Sequence, residues 1–393
     1  MAPKSNGGAG RGHDAAAVCP PGVEDQTAAE LRALGCRPRP AGPGTLAFTA
    51  TDRHLYAANL WLRTATRVLV RLATFRATDF ARLQERAAGL DWGRFLADGV
   101  APRFRVTSTD SKLYHTDAIA QRLHQVVGPP AVDEPEQVFV IRIHRNTVTV
   151  SADASGEALH RRAWRTATGP APLRATMAAA VLMAADWAPG SGLIDPFAGS
   201  GTIGIEAALM AAGLPPGGDR SFAFQTWPSF RPGTWASVTA GVPTGPGASP
   251  GGVRIVMADR DPSATDIVAG NAERAGVAHL VEVDTRVVAH LRARPGPGLV
   301  VTNPPYGRRL GRSSGRPPGA PDERAGLTGL YRRLGAVVRE RLPEWGLVVI
   351  GPDRRLAAAA DGRLQPVLGF RHGGLHVVAR ARPAEHLVGT PPR

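Results

Sequence analysis

The sequence predicts an α/β protein in two parts: an α+β front half, followed by a Rossmann-like domain built on a mostly parallel sheet. Three observations carry this prediction. Short helical and extended stretches alternate, without a repeat, over roughly the first 155 residues. The stretch LIDPFAGSGTIGIEAA at 193–208 then reads as strand, glycine turn and alanine-rich helix: Leu193 and Ile194 are apolar, Gly199 and Gly201 permit a sharp turn, and Ile203 opens a helical apolar spacing. From there to about residue 383, strand-like and helix-like segments alternate regularly, the pattern of a parallel sheet.

In chain order, residues 1–17 are Gly, Ala and polar residues without periodicity, expected to form a disordered tail, with order beginning at Val18. A helix is expected over 24–34, stopped by Gly35, then a strand over 45–49 and a helix over 52–61 with Asp52 as N-cap. RVLVRLATF over 67–75 is the next strand, and 79–88 and 92–95 are helical. RFRVTSTDSKLYHTDAIAQRLHQVV reads as strand, loop and helix, and 138–143 with 147–150 as a hairpin around Arg145 and Asn146. LHRRAWR lies in a connection over 156–171, and Pro172 suits the first turn of a helix running to Trp187. In the second half strands are expected over 192–194, 253–257, 280–283, 299–301 and 346–350, with helices over 264–275 and 328–342 and a closing hairpin across 371–374. Pro/Gly-rich insertions over 241–252 and 311–321 interrupt this order, and 384–393 is a tail.

With 393 residues the chain is long enough for two or three domains. Lys+Arg of 47 against Asp+Glu of 33 gives a net charge of +14, which permits a polyanionic partner, although an Arg-, Ala- and Gly-rich composition produces the same excess. Cys19 and Cys36 form no C-x-x-C pair, and the histidines show no metal-ligand spacing, so no metal is expected. No apolar run reaches the 18 or so residues of a membrane span and the first residues lack the apolar core of a signal peptide, so a cytoplasmic protein is expected.

Gly199, Gly201 and Gly204 satisfy a G-x-G-x-x-G pattern, but a dinucleotide site needs an acid ending the next strand about 20 residues on. Asp219 falls there inside a Pro/Gly loop, and the acid that does end a strand is Asp259. A phosphate-binding P-loop needs a lysine, yet the only lysines are Lys4 and Lys112, and Ala198 spoils a nucleophile elbow. About a hundred residues downstream, GLVVTNPPYGRRLG runs a strand into Asn303, Pro304, Pro305 and Tyr306. Asn303 Oδ1 and the Pro304 carbonyl are acceptors for the two hydrogens of an amine, neither proline has an N–H to compete, and Tyr306 offers a stacking face.

Paired with DPFAGSGT, this NPPY turn resembles the class I S-adenosylmethionine-dependent methyltransferases that modify exocyclic amines of nucleobases. The resemblance implies a seven-stranded, mostly parallel sheet with an antiparallel last strand over 172–383. It implies a cofactor site of Asp195, Phe197, Gly199, Ser200, Gly201, Thr202, Asp259, Arg260, Asp284 and Thr285, with Asp259 on the ribose and Asp284 at the adenine amine. Residues 77–155, with the SKLYH run at 111–115, resemble a THUMP RNA-binding domain, and 18–76 is expected to be a ferredoxin-like region. That places Lys112, His115, Arg308 and Arg309 as RNA-binding residues, and the whole resembles enzymes that make N2-methylguanosine in rRNA or tRNA. A DNA or RNA adenine-N6 methylase shares both motifs. A catalytically silent RNA-binding adapter would have lost the acids or Asn303, which are intact.

Overall fold

The computed structural model describes residues 12–130, 135–166, 173–218, 220–243, 255–292, 296–307, 323–372 and 374–382. They form two compact units. The first takes in the described parts of Met1–Cys19, Thr27–Leu159 and Asp219–Gly241; the second those of Pro20–Gln26, His160–Gly218 and Val242–Arg393.

The first unit contains, in chain order, β1 (His13–Val18), α1 (Glu24–Ala33), β2 (Arg39–Pro40), β3 (Thr45–Ala50), α2 (Asp52–Trp61), β4 (Arg67–Arg76), α3 (Phe80–Ala88), β5 (Ala101–Thr109), α4 (Thr116–Val127), β6 (Glu136–His144) and β7 (Thr147–Asp153), the first turn of α1 counting with the second unit. Among the described residues its seven strands form one sheet in the order β2-β3-β1-β4-β7-β6-β5, antiparallel except for the β5–β6 pair. The sheet runs straight across the boundary expected at residue 76, because β4 pairs with β1 on one side and β7 on the other.

Over residues 13–17 the expected disordered tail is corrected, since 13–18 is an interior strand bonded on both edges; residues 1–11 lie outside the described residues. HDAAAV is poor in β-branched residues, so propensity alone reads as coil. Pairing with β3 and β4, and complete burial of Ala15 and Ala17, override it. The N-cap of α2 is also corrected. Thr51 Oγ1 accepts the His54 N–H at 3.3 Å, whereas the Asp52 carboxylate is occupied by His13 Nε2 at 2.6 Å and Arg231 Nε at 3.0 Å. Residues 92–95 make only a short 3₁₀ turn, Trp92–Arg94.

The remainder of the sequence between 220 and 241, including α7 (Pro232–Thr239), belongs to this first unit although it interrupts the second half of the chain. Its aromatics anchor it. Phe224 stacks on Tyr56 with ring centroids 4.4 Å apart, and Trp227 Nε1 donates to buried Gln137 Oε1 at 2.7 Å.

The second unit contains α5 (Ala175–Ala184), β8 (Gly192–Asp195), α6 (Thr202–Ala211), β9 (Ile255–Asp259), α8 (Pro262–Arg274), β10 (Val281–Thr285), β11 (Gly298–Thr302), α9 (Glu323–Arg341), β12 (Gly346–Gly351), α10 (Arg354–Ala360), β13 (Gln365–His372) and β14 (Leu375–Arg382). Among the described residues its seven strands follow the order β10-β9-β8-β11-β12-β14-β13, with β10 through β12 parallel and β14 antiparallel to β12 and β13. Residues alternate between two cores as period 2 requires. Leu193, Ile255 and Met257 pack with Val181, Ile205 and Val268 of α5, α6 and α8, while Ile194, Val256 and Val300 pack with Tyr331, Leu334 and Leu356 of α9 and α10. The expected strands and helices are all present with ends shifted by a few residues, as at α9, which begins at Glu323 rather than 328. Pro172, Asp219, Arg308, Arg309, the 311–321 insertion and most of the 241–252 insertion lie outside the described residues. Among the described residues no helix is long and apolar enough to cross a membrane, and no group of three His, Cys, Asp or Glu could hold a metal.

Candidate active site

From the central strand β8 the chain turns one way to β9 and later the other way to β11, so the carboxyl ends of these strands open a crevice where α/β sheets bind ligands. A cavity of about 1020 Å³ occupies it. The glycine loop between β8 and α6 forms one wall. Gly199 and Gly201 have φ of +56° and +78°, a region that a side chain resists. A Cβ on Gly199 would meet nothing within 4 Å, so the loop leaves open space there. Gly204 has a different job: a Cβ there would lie 2.4 Å from Met257 Sδ, so its bare backbone lets α6 close on β9.

The acids are held by the backbone of this loop. Asp259 Oδ2 accepts the Gly199 N–H at 3.0 Å and its Oδ1 accepts the Asp261 N–H at 3.1 Å, which fixes a carboxylate at the rim. Asp195 is 1% exposed, accepts the Thr302 hydroxyl at 2.7 Å and the Phe197 N–H at 3.2 Å, and lines the cavity. Burial pushes its carboxyl up to about 7, against the pull of those two hydrogen bonds, with the neighbouring Asp259 charge pushing the same way as burial. Behind the loop, Asn271 Nδ2 donates to the Ser200 carbonyl at 3.0 Å and is itself held by Arg274 at 2.6 Å.

Of the residues expected from sequence, Asp195, Phe197, Gly199, Ser200, Thr202, Asp259, Arg260, Asn303 and Pro305 meet around this cavity. Gly201 supports it from behind, packed near Val268 and Ile205. Tyr306 is half-buried against the core beneath α9, with Leu327 and Leu330, and Pro304 is buried; neither lines the cavity. Asp284 and Thr285 line an adjoining cavity of about 550 Å³ with Arg260, Arg286, His290 and Arg292. The Asp284 carboxylate is paired there with Arg286, and Thr285 Oγ1 bonds Thr265 Oγ1 at 2.8 Å. Lys112 and His115 belong to the other compact unit, both exposed.

Sequence reasoning missed Thr302, Asp261, Ser263 and the Arg286–Val288 segment. Thr302 carried a signal, a hydroxyl closing an otherwise apolar strand. So did Asp261 before Pro262, an N-cap followed by a first-turn proline, and its Oδ1 does accept the Ser263 N–H at 3.0 Å.

A family model described as RMKL-like, methyltransferase domain, matches residues 162–367, just over half of the chain. The chain belongs to this RMKL-like family. A model of the RlmL ferredoxin-like domain matches residues 14–69, starting inside β1. The chain is 31% identical over 379 residues to the ribosomal RNA large subunit methyltransferase K/L of Methylococcus capsulatus, a match covering 92% of this chain and 49% of that protein, so it spans about half the length of that relative. Among solved structures, SMU.472, assigned as a methyltransferase and solved in complex with SAH, superposes with a TM-score of 0.82 at 25% identity over 95% of this chain and 99% of that one. A Listeria monocytogenes protein assigned by prediction as an N6-adenine-specific DNA methylase superposes with a TM-score of 0.81 at 26% identity over 94% and 96%. The RMKL-like domain is thus a class I methyltransferase, and S-adenosylmethionine is its methyl donor. The open backbone at Gly199 and the rim carboxylate of Asp259 suit such a ligand.

Proposed function

We propose that the protein methylates the exocyclic N2 amine of a guanosine in structured RNA, ribosomal or transfer. The observation that carries exocyclic-amine methylation is the NPPY turn ending β11, whose Asn303 and Pro305 reach the cavity wall and which is tied through Thr302 to Asp195 of the neighbouring strand. The resemblance of the front half to an RNA-binding module is what favours guanine N2 in RNA. Bound S-adenosylmethionine supplies an electrophilic methyl group on a positively charged sulfur. In our reading the glycine loop takes its methionine end, and Asp259 accepts hydrogen bonds from its ribose hydroxyls. Asp284 and Arg260 stand at the adenine side. Asn303 Oδ1, at the cavity wall, accepts one amine hydrogen, and the second acceptor is the carbonyl of Pro304, whose ring is buried behind that wall. Together they would turn the nitrogen lone pair, otherwise delocalised into the ring, toward the methyl group. Transfer would break the bond from methyl to sulfur as the N–C bond forms, leaving a neutral thioether, and the acidified ammonium would give its surplus proton to solvent water, so no strong resting base is needed.

Residues 77–155 serve as the RNA-binding module, and the similarity to a ribosomal RNA methyltransferase over 92% of this chain supports RNA as the substrate class. The Listeria similarity favours a second reading, adenine N6 as the acceptor. To separate them, the protein is incubated with labelled S-adenosylmethionine and total RNA or DNA, and the digested nucleosides are identified. N2-methylguanosine from RNA is expected. N6-methyladenosine would overturn the choice of amine, and label confined to DNA would overturn RNA.

A further inference from the structure

Gly199 and Gly201 flank Ser200 and sit in the left-handed region, φ +56° and +78°, and glycine is the residue with the most backbone freedom to lose. Freedom lost on binding lowers affinity, so a loop that waits in its bound shape binds more tightly than one that must first be ordered. The β9–α8 segment supplies the restraint at successive residues of the loop. Asp259 takes the Gly199 N–H, and Asn271 of α8, fully buried, donates from Nδ2 to the Ser200 carbonyl at 3.0 Å.

The Asn271 amide is oriented from its other end. Arg274, one turn on along α8, donates from Nη2 to Asn271 Oδ1 at 2.6 Å. A guanidinium only donates and a carbonyl only accepts, so Asn271 turns its oxygen to Arg274 and its NH2 to Ser200; the reverse orientation would set donor against donor. The second arm of Arg274 is anchored too. Its Nε donates to the Trp164 carbonyl at 3.1 Å, and Trp164 is buried in the same core as α5 and α6. Three hydrogen bonds thus run in series from Trp164 through Arg274 and Asn271 to Ser200, which lines the cavity, and all four residues belong to the second unit.

The same stretch of chain holds α6 by a buried ion pair, Arg162 Nε to Glu206 Oε1 at 2.9 Å. Removing either partner there would strand a buried charge and threaten the fold. Arg274 differs, because it is exposed and can be altered without opening a cavity.

We infer that Arg274 is a positioning residue for the methyl donor: braced on Trp164, it orients the Asn271 amide, which holds the Ser200 carbonyl and the glycine loop in their binding shape before the ligand arrives. The inference rests on the glycine loop as the site of the methyl donor. It gives Arg274 no contact with the ligand, so the whole effect of Arg274 passes through Asn271.

Calorimetry on the full chain, well below its melting temperature, measures the dissociation constants of S-adenosylmethionine and S-adenosylhomocysteine. Arg274→Lys keeps the charge, but an ammonium lacks the planar fork that serves both acceptors. It should weaken both ligands roughly 2- to 10-fold, the worth of one hydrogen bond, and leave the melting temperature of the free protein little changed. Asn271→Asp keeps the shape and still accepts from Arg274 but cannot donate to Ser200, and should weaken both ligands roughly 5- to 150-fold. Because Arg274 acts through Asn271, the double variant should bind no worse than Asn271→Asp alone. Additive losses overturn the inference, as does unchanged affinity in Arg274→Lys while Asp259→Ala weakens binding. Arg274→Lys gives this answer even if Asn271→Asp fails to fold. Unchanged affinity in Asp259→Ala as well moves the methyl donor away from the glycine loop, and the inference falls with that assignment.

Discussion

Replacing Asp195 by Asn tests how the site stores charge. The amide is isosteric and keeps an oxygen for the Thr302 hydroxyl, now 2.7 Å from the carboxylate, so what it removes is the ionisation. Burial holds the folded carboxyl up at about 7 against 3.8 for a freely solvated aspartate. The sign follows from proton binding. Between pH 4 and pH 7 the folded state holds this proton and the unfolded state does not, so stability falls as pH rises and levels off above the folded pKa. At about 1.4 kcal/mol per pH unit, that amounts to roughly 3 kcal/mol between pH 5 and pH 8. Urea denaturation of wild type and Asp195→Asn at both pH values measures it. The variant should gain on wild type by that order at pH 8 relative to pH 5, and an offset equal at both pH values would refute the reasoning.

Asp259→Ala should weaken S-adenosylmethionine by about 10- to 150-fold in calorimetry, the worth of a charge-assisted hydrogen bond of ~1.5–3 kcal/mol, and unchanged affinity would remove the carboxylate at the rim from the cofactor's site. Asn303→Ala should abolish methyl transfer while the dissociation constant for S-adenosylmethionine stays put, so a matching loss of both would mean that Asn303 holds the cofactor rather than the amine. Gly204→Val should cost ~1–3 kcal/mol by overpacking, because its Cβ would sit 2.4 Å from Met257 Sδ, and an unchanged melting temperature would show that α6 is free to shift.

The second half of the chain was legible because its strands are apolar on both faces and are punctuated by glycine. GLVVT and GLVVIG are buried along their whole lengths, so neither needs a partner to be recognised. What could not be read depends on distant partners. HDAAAV becomes a strand only because β3 and β4 flank it, and Thr51 displaces Asp52 as a cap because residues 39 and 179 positions away, His13 and Arg231, draw the Asp52 carboxylate. The aromatic run around Phe222, Phe224, Trp227 and Trp235 was visible in composition, yet nothing local said that it belongs with Tyr56 in the first unit. Inside the site, the ion pair of Asp284 is a feature that the structure adds to the sequence reading. Resemblance supplied the residue, and its partner Arg286, two positions on, became visible only in the structure.

The pairing of DPFAGSGT with NPPY is informative for a physical reason that neither motif shows alone. β8 and β11 are adjacent parallel strands, in register from Gly192 with Gly298 to Ile194 with Val300. Each ends at the same edge, one in the glycine loop, the other in the turn that bears Asn303. The bond from Thr302 to Asp195 closes the gap between those ends in a fully buried place, where an unpaired hydroxyl or carboxyl would be costly. On the far side, Asp259 secures the same loop through the Gly199 N–H. The loop that faces a methyl donor and the turn that would hold an amine are thus fixed to one strand pair. Methyl transfer demands such fixed alignment, because no group at this site has to be a strong base.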